Sequence, residues 1–200
     1  VRSAIPTLFA ARLARREVKA VLTGEGADEL FAGYTYHHAY VDEPRALADE
    51  LTRSLGTMHN INLQRVDRVT MAESLEARTP FLDRDLIDFA QSIPASLKLC
   101  RTDPNALEST GPTTEKWILR KSCDDLLPAD LVWRKKAQFD EGSGTVAALD
   151  GALRGLIGKE GAVTRAEEGL LYEKILRGQF ENPDRIIENA GTWSADRVAV

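Results

Sequence analysis

Apolar residues fall at helical spacing along most of the chain, and in only one place do they run together as a strand. Residues 5–17, IPTLFAARLARRE, set Leu8, Phe9 and Leu13 among alanines at helical intervals, with Pro6 tolerable in the first turn. VKAVLT, residues 18–23, reads as a short buried strand and runs directly into GEGADE. Helix, strand, glycine-rich turn, helix is the local order of a parallel α/β sheet, because parallel strands need a crossover between them. From Pro44 to about Leu75 the spacing is helical again, with Leu47, Leu51, Leu55 and Met58 on one face and candidate breaks at Gly56 and Asn60. A turn at Thr79-Pro80 precedes a short helix whose inward positions are Leu86, Ile87 and Ala90. Pro, Gly, Asn, Ser and Thr crowd residues 101–114 and predict a loop. TEKWILRKSCDDLLP predicts a helix with Thr114 as N-cap and Pro128 as its stop, and ADLVWRKKAQFDEGSG a second short helix leading into a loop. Beyond residue 145 the pattern stays helical and carries few distinctive residues.

A single strand leaves its backbone donors and acceptors unpaired and cannot make a sheet. The expected architecture is therefore a mostly α-helical chain with about one sheet strand, belonging to an α/β parent fold. The strand at Val18–Thr23 is expected to be an orphan, or to pair only with a segment that does not read as a strand. The chain opens at Val1, without Met, already inside patterned sequence, which suggests a C-terminal piece of a larger α/β domain. With 200 residues it is long enough to bury a core, and 43% apolar with 28% charged residues is ordinary for a soluble globular protein. A net charge of −5 argues against a nucleic-acid surface, and no apolar run approaches a membrane span. Cys100 and Cys123 form neither a CxxC nor a metal pattern and are expected to be reduced thiols of a cytoplasmic protein.

The chemistry concentrates in AVLTGEGADELFAGY, residues 20–34, where Glu25, Asp28 and Glu29 crowd a glycine-rich turn at a strand end. A dinucleotide fingerprint fails here, because Glu29 stands where a third glycine is needed for helix–strand packing. No Gly-Lys-Ser/Thr follows for a P-loop, and calcium-loop spacing is absent. One reading of the acids is structural, as partners of a helix dipole. The other is chemical. Carboxylates repel phosphate directly but join it through a divalent cation, and ligands of open α/β sheets bind beyond the carboxyl ends of strands. An acidic turn at that place fits a magnesium–nucleotide or magnesium–pyrophosphate site, with a further acid as base or as the group that orients an amine nucleophile.

VRSAIP, VLTGEGADELFAGY, MAESLEARTPFLDRDLIDFA, TEKWILRK and LVWRKKAQFDEGSG occur in an order that resembles the synthetase domain of glutamine-dependent asparagine synthetases. The resemblance runs from residue 1 to about 150 and is loose over 151–200, so 1–150 reads as the C-terminal part of that domain and 151–200 as its helical extension. It implies a parallel sheet of the ATP-pyrophosphatase type and the use of ATP and Mg2+ to adenylate the aspartate side-chain carboxylate. Ammonia drawn from glutamine by a separate glutaminase domain then displaces AMP. By resemblance Asp28 helps hold magnesium on the pyrophosphate, and Glu25 sits at the acyl centre and helps ammonia lose its proton. Lys136 of WRKKAQF stabilises charge developing on the α-phosphate, Arg2 lies near aspartate, and Gly24 and Gly26 let the backbone approach closely. Ala32 stands where Gly is commoner, and Thr79 where Val is commoner. The family's Ser-Gly-Gly-x-Asp-Ser loop and its glutaminase cysteine are absent, so this chain alone is expected to be inactive and to need the N-terminal part of the same protein. A homodimer stays open. A related amide-forming synthetase (a β-lactam synthetase, a peptide cyclase or a cell-envelope amidotransferase) or a non-catalytic nucleotide-binding module are the rival readings.

The remaining polar residues read as structural. His37, His38 and His59 lack partners at metal-ligand spacing, and the Arg134–Lys136 run is lifted above a solvated face only by its motif. Glu76, Arg78 and Asp83 suggest salt bridges about a turn, Tyr34 and Tyr36 suggest packing, and Trp117, Trp133 and Trp193 suggest core positions.

Overall fold

A computed structural model describes residues 2–102 and 112–188. Helix α1 (Ala4–Ala14) leads to strand β1 (Ala20–Leu22), and the Gly24–Gly26 turn then opens the five-residue α2 (Ala27–Phe31). A 3-10 segment at Thr35–Tyr40 precedes α3 (Pro44–Thr57), and a second at Met58–Asn60 separates it from α4 (Asn62–Met71), close to the breaks expected at Gly56 and Asn60. Strand β2 (Glu76–Arg78) and α5 (Arg84–Ser92) follow, then the hairpin strands β3 (Leu99–Arg101) and β4 (Thr113–Glu115). The rest is helical: α6 (Trp117–Ser122), α7 (Ala129–Val132), α8 (Phe139–Gly142), α9 (Thr145–Ile157), α10 (Arg165–Gln179) and α11 (Pro183–Glu188).

The strand content differs from the expected single strand, and of the two expectations for β1 the second holds, because its partner is a segment that does not read as a strand. β1 pairs in parallel with β2, Ala20 opposite Glu76 and Leu22 opposite Arg78, so it is not an orphan. β3 and β4 pair antiparallel, Leu99 opposite Glu115, flanking the expected 101–114 loop and overlapping only its ends. Three-residue strands are too short to show alternation, and Glu-Ala-Arg and Thr-Thr-Glu carry none of the apolar enrichment that marks a buried strand. Thr114 lies in β4 rather than capping α6, and most of the expected 101–114 loop falls outside the described residues.

Helix α2 is the hinge of the core. Leu30 and Phe31 join Ala90, with Leu55, Phe81 and Ile87 packed against them, while Ala32 turns to Leu47, Leu51, Ala95 and Leu99. Chain direction around this helix is set by two left-handed residues, Gly26 at its start (φ 98°) and Ala32 at its end (φ 58°). Gly26 is needed on both counts, since a Cβ there would also lie 2.5 Å from Leu82 Cδ2. At Ala32 the left-handed backbone gives the physical reason glycine suits the position, and the methyl group survives there because it is buried between α3 and the β3 strand.

Other structural expectations resolve locally. Asp83 caps α5, its Oδ1 accepting the N–H groups of Asp85 at 3.0 Å and Leu86 at 3.3 Å, while Glu76 and Arg78 form an exposed pair at 2.8 Å. Trp117 and Trp133 are half-buried rather than core, because each lies near the end of a short helix, and Trp133 Nε1 donates to Asp124 at 2.8 Å. Trp193 lies outside the described residues. Cys100 and Cys123 are free. No helix among the described residues is long and apolar enough to cross a membrane.

Candidate active site

The three acids of the turn have separate fates. Glu29 points inward and is almost wholly buried, accepting from Tyr34 Oη and, at 2.7 Å, from Asn62 Nδ2. Burial pushes its carboxyl up, and those two donors only partly oppose it. This acid belongs to the support of the turn. Tyr34 stacks on Tyr36 with ring centres 5.5 Å apart, and both meet His37 edge-on.

His37 is fully buried, and desolvation lowers its pKa from 6.5 to about 4. Between those values the unfolded chain binds a proton that the folded chain refuses, so stability falls as pH falls. The expected loss is roughly 3 kcal/mol between pH 6.5 and 4. Chemical denaturation of wild type and His37→Gln at both pH values checks this, since effects of other groups cancel in the difference. Parallel pH profiles for the two proteins would contradict it.

Glu25 and Asp28 face the mouth of the turn. Glu25 is paired with Arg65 of α4, whose Nη1 also donates to Ser3 Oγ at 2.7 Å. Burial raises the Glu25 carboxyl, Arg65 pulls it back, and the nearby Asp28 charge pushes it up again, leaving it above the usual range. Asp28 receives two ammonium groups. Lys136 Nζ lies 3.0 Å from both carboxylate oxygens, and Lys116 Nζ lies 2.6 Å from Oδ1. Burial pushes Asp28 up as well, but the two lysines override it and hold the carboxyl below its ordinary value.

The chain reaches this arrangement by fixing Lys116 in a left-handed conformation (φ 55°) between β4 and α6. That backbone is disfavoured for a side chain by about 1 kcal/mol or more, and persists because its surroundings dictate it. Lys116 N–H donates to Phe31 carbonyl at 3.1 Å, and Trp117 N–H donates to Lys98 carbonyl at 2.9 Å. Behind the junction the buried Glu115 is clamped by Arg120, whose Nη2 donates to it at 2.5 Å and whose Nη1 reaches the Val132 carbonyl at 2.6 Å. The same arginine therefore ties the α6 and Lys136 segments together. Desolvation lowers the Lys116 pKa, Asp28 opposes this, and the charge of Lys136 adds to the lowering.

Of the residues singled out from sequence, Glu25, Asp28 and Lys136 come together. Gly26 shapes the turn, and Gly24 has open space at its Cα. Arg2 is not on Asp28. Its Nε and Nη2 grip Glu168 of α10, with the shortest contact at 2.7 Å, and its neighbour Ser3 links it to the turn through Arg65. Sequence reasoning missed Lys116, Arg65 and Gly33. TEKWILRK flagged the segment of Lys116 but not its lysine, whereas Arg65 sits at an unremarkable helical position. Gly33 is revealed only in three dimensions, where a Cβ would overlap Asp28 Oδ1 and Lys116 Cε.

A carboxylate held by two lysines, beside a second carboxylate with its own arginine, lies at the carboxyl end of parallel strand β1, where α/β proteins bind their ligands. The asparagine synthase family model matches residues 1–48 and 40–199, and the chain belongs to that family. It is 36% identical over 149 residues to an asparagine synthetase (glutamine-hydrolyzing) of Asparagus officinalis, and 35% identical over the same length to one of Triphysaria versicolor. Asparagine synthetase (glutamine-hydrolyzing) 1 of Arabidopsis thaliana is likewise 35% identical. Each match covers 72% of this chain and 24% of the relative, so the chain spans about a quarter of the length of the curated relatives it matches.

Proposed function

We propose that this chain carries part of the synthetase site of a cytoplasmic, ATP-dependent ligase that converts aspartate to asparagine with ammonia from glutamine. The observation that supports it most directly is the contact of Lys136 with both oxygens of Asp28, which joins the motifs VLTGEGADE and WRKKAQF in one site. In this reading an aspartate side-chain oxygen attacks the α-phosphate, pyrophosphate leaves, and ammonia then attacks the acyl carbon to expel AMP. Lys136 and Lys116 meet the negative charge of the phosphates, Arg2 holds aspartate, and Gly24 leaves room for the ligand. Glu25 accepts the proton that ammonia loses, a task suited to a carboxyl whose pKa is already raised.

Magnesium fits this donor set. It takes one or two carboxylates and completes its shell with phosphate oxygens and water, and Asp28 offers the carboxylate. No group of three or more His, Cys, Asp or Glu side chains converges on a metal position among the described residues. When bound, the ion would neutralise the pyrophosphate. Backbone donors from a Ser-Gly-Gly-x-Asp-Ser loop in the N-terminal part of the same protein would complete the cradle in the parent ATP-pyrophosphatase-type sheet. Residues 1–200 alone are expected to release no AMP.

The test is Asp28→Asn in the full-length polypeptide. Magnesium-dependent, aspartate-dependent pyrophosphate release should fall and need more magnesium for half its maximum, while glutamine hydrolysis is retained. An unchanged magnesium profile would contradict the role given to Asp28.

A further inference from the structure

We infer that Glu168, on α10, is the positioning residue for Arg2, and that α10 thereby forms a wall of the aspartate subsite. The inference rests on the reading of Arg2 as the aspartate contact and extends the site to a segment to which neither sequence motif nor charge cluster had given a role.

The ion pair is unusually enclosed. The side chains of Arg2 and Glu168 are 12% and 3% exposed, although they come from opposite ends of the described chain. Arg2 Nε donates to Oε1 at 3.2 Å and to Oε2 at 3.0 Å, and Nη2 donates to Oε2 at 2.7 Å. Two points of attachment fix the plane of a guanidinium, where a single contact would leave it free to swing. The Glu168 carboxylate is itself held. Tyr172 Oη, one helical turn along, donates to Oε1 at 2.9 Å, and Arg165 Nη1 lies 3.4 Å from Oε2. The α10 N-terminus is set by a capping box in which Thr164 Oγ1 accepts from Glu167 N–H and the Glu167 side chain accepts from Thr164 N–H.

The next residue links this pair to the acidic turn. Ser3 Oγ accepts from Arg65 Nη1 at 2.7 Å, and Arg65 Nη2 is the partner of Glu25. Helix α10 therefore holds one side of the opening turn and α4 the other, and the separation of Arg2 from Glu25 is set by two anchors. If aspartate binds to Arg2 while its side-chain carboxylate reacts near Glu25, that separation must be held closely, because small displacements of a bound reactant reduce rates steeply.

The experiment compares Glu168→Gln, Glu168→Asp and Tyr172→Phe in the full-length polypeptide, reading KM for aspartate and ATP, Kd for aspartate by calorimetry, and Tm. Glu168→Gln keeps the size but loses the charge, and should raise KM and Kd for aspartate about tenfold or more with KM for ATP unchanged. Glu168→Asp should recover part of the loss. An unchanged KM for aspartate would overturn the inference, as would a parallel rise in both KM values with a fall in Tm, the mark of a purely structural pair. Where Glu168→Gln does not fold, Tyr172→Phe decides: a selective rise for aspartate supports the inference and no change overturns it. A wild-type protein with no aspartate-dependent pyrophosphate release would instead sink the functional reading, and this inference with it.

Discussion

Gly33→Ala should depress ATP–pyrophosphate exchange by about a hundredfold while the protein remains folded. A Cβ at this position would overlap Asp28 Oδ1 and Lys116 Cε and would lie 2.8 Å from Asp28 Cγ. Gly33 is not among the glycines at positive φ, so alanine meets no backbone penalty and the effect is steric alone. Asp28 is short and rooted in α2, and Lys116 is held by its own left-handed backbone, so neither side chain can withdraw without parting the pair. Overpacking of this kind costs on the order of 1–3 kcal/mol, less than the stability of an ordinary domain. Exchange assays beside thermal melts check the expectation. Full exchange activity in a folded Gly33→Ala protein would mean that the Asp28–Lys116 contact is not the working geometry.

The second large effect separates Glu25 from Lys136. Lys136→Ala removes a positive charge from the phosphate side, and should reduce acyl-adenylate formation by on the order of a hundredfold or more. Glu25→Gln removes the proton acceptor, and should reduce amide formation by roughly 10² to 10⁴ while sparing exchange. Glu25 is paired with Arg65 and Lys136 with Asp28, so each substitution breaks a different ion pair. Measuring exchange and asparagine formation on the same preparations distinguishes them. Equal reductions of both steps in both variants would show that the two residues do not divide the reaction.

The residues of the candidate site could be picked out by motif, whereas the strands could not. The acidic turn at a strand end marked Glu25 and Asp28, and only the resemblance of WRKKAQF to a family motif marked Lys136, before their proximity was seen. Residues that act across space leave no such trace. Lys116 matters because its backbone is bent toward α2, and Gly33 because a neighbour's carboxylate fills the place of its side chain. The helices followed from apolar spacing, as with Leu47 and Leu51 on α3. Strands β2, β3 and β4 did not, since their pairing is long-range and their few residues are largely polar. Arg2 shows the opposite failure. Its motif was plain, but nothing in VRSAIP could announce that its partner lies on α10.

The crossover from β1 to β2 also dictates an order of events at the ribosome. Val21 finds its ladder partner only at Ala77, after α2, α3 and α4 have been made. Until Arg78 has left the exit tunnel, the backbone edge of β1 that will meet β2 is open. Closing so long a loop is entropically expensive, and native-like α3 and α4 shorten the search by drawing its ends together. A synthesis stall or premature stop between Met71 and Glu76 would therefore release a helical product with an exposed strand edge, the kind of species that chaperones hold and proteases clear.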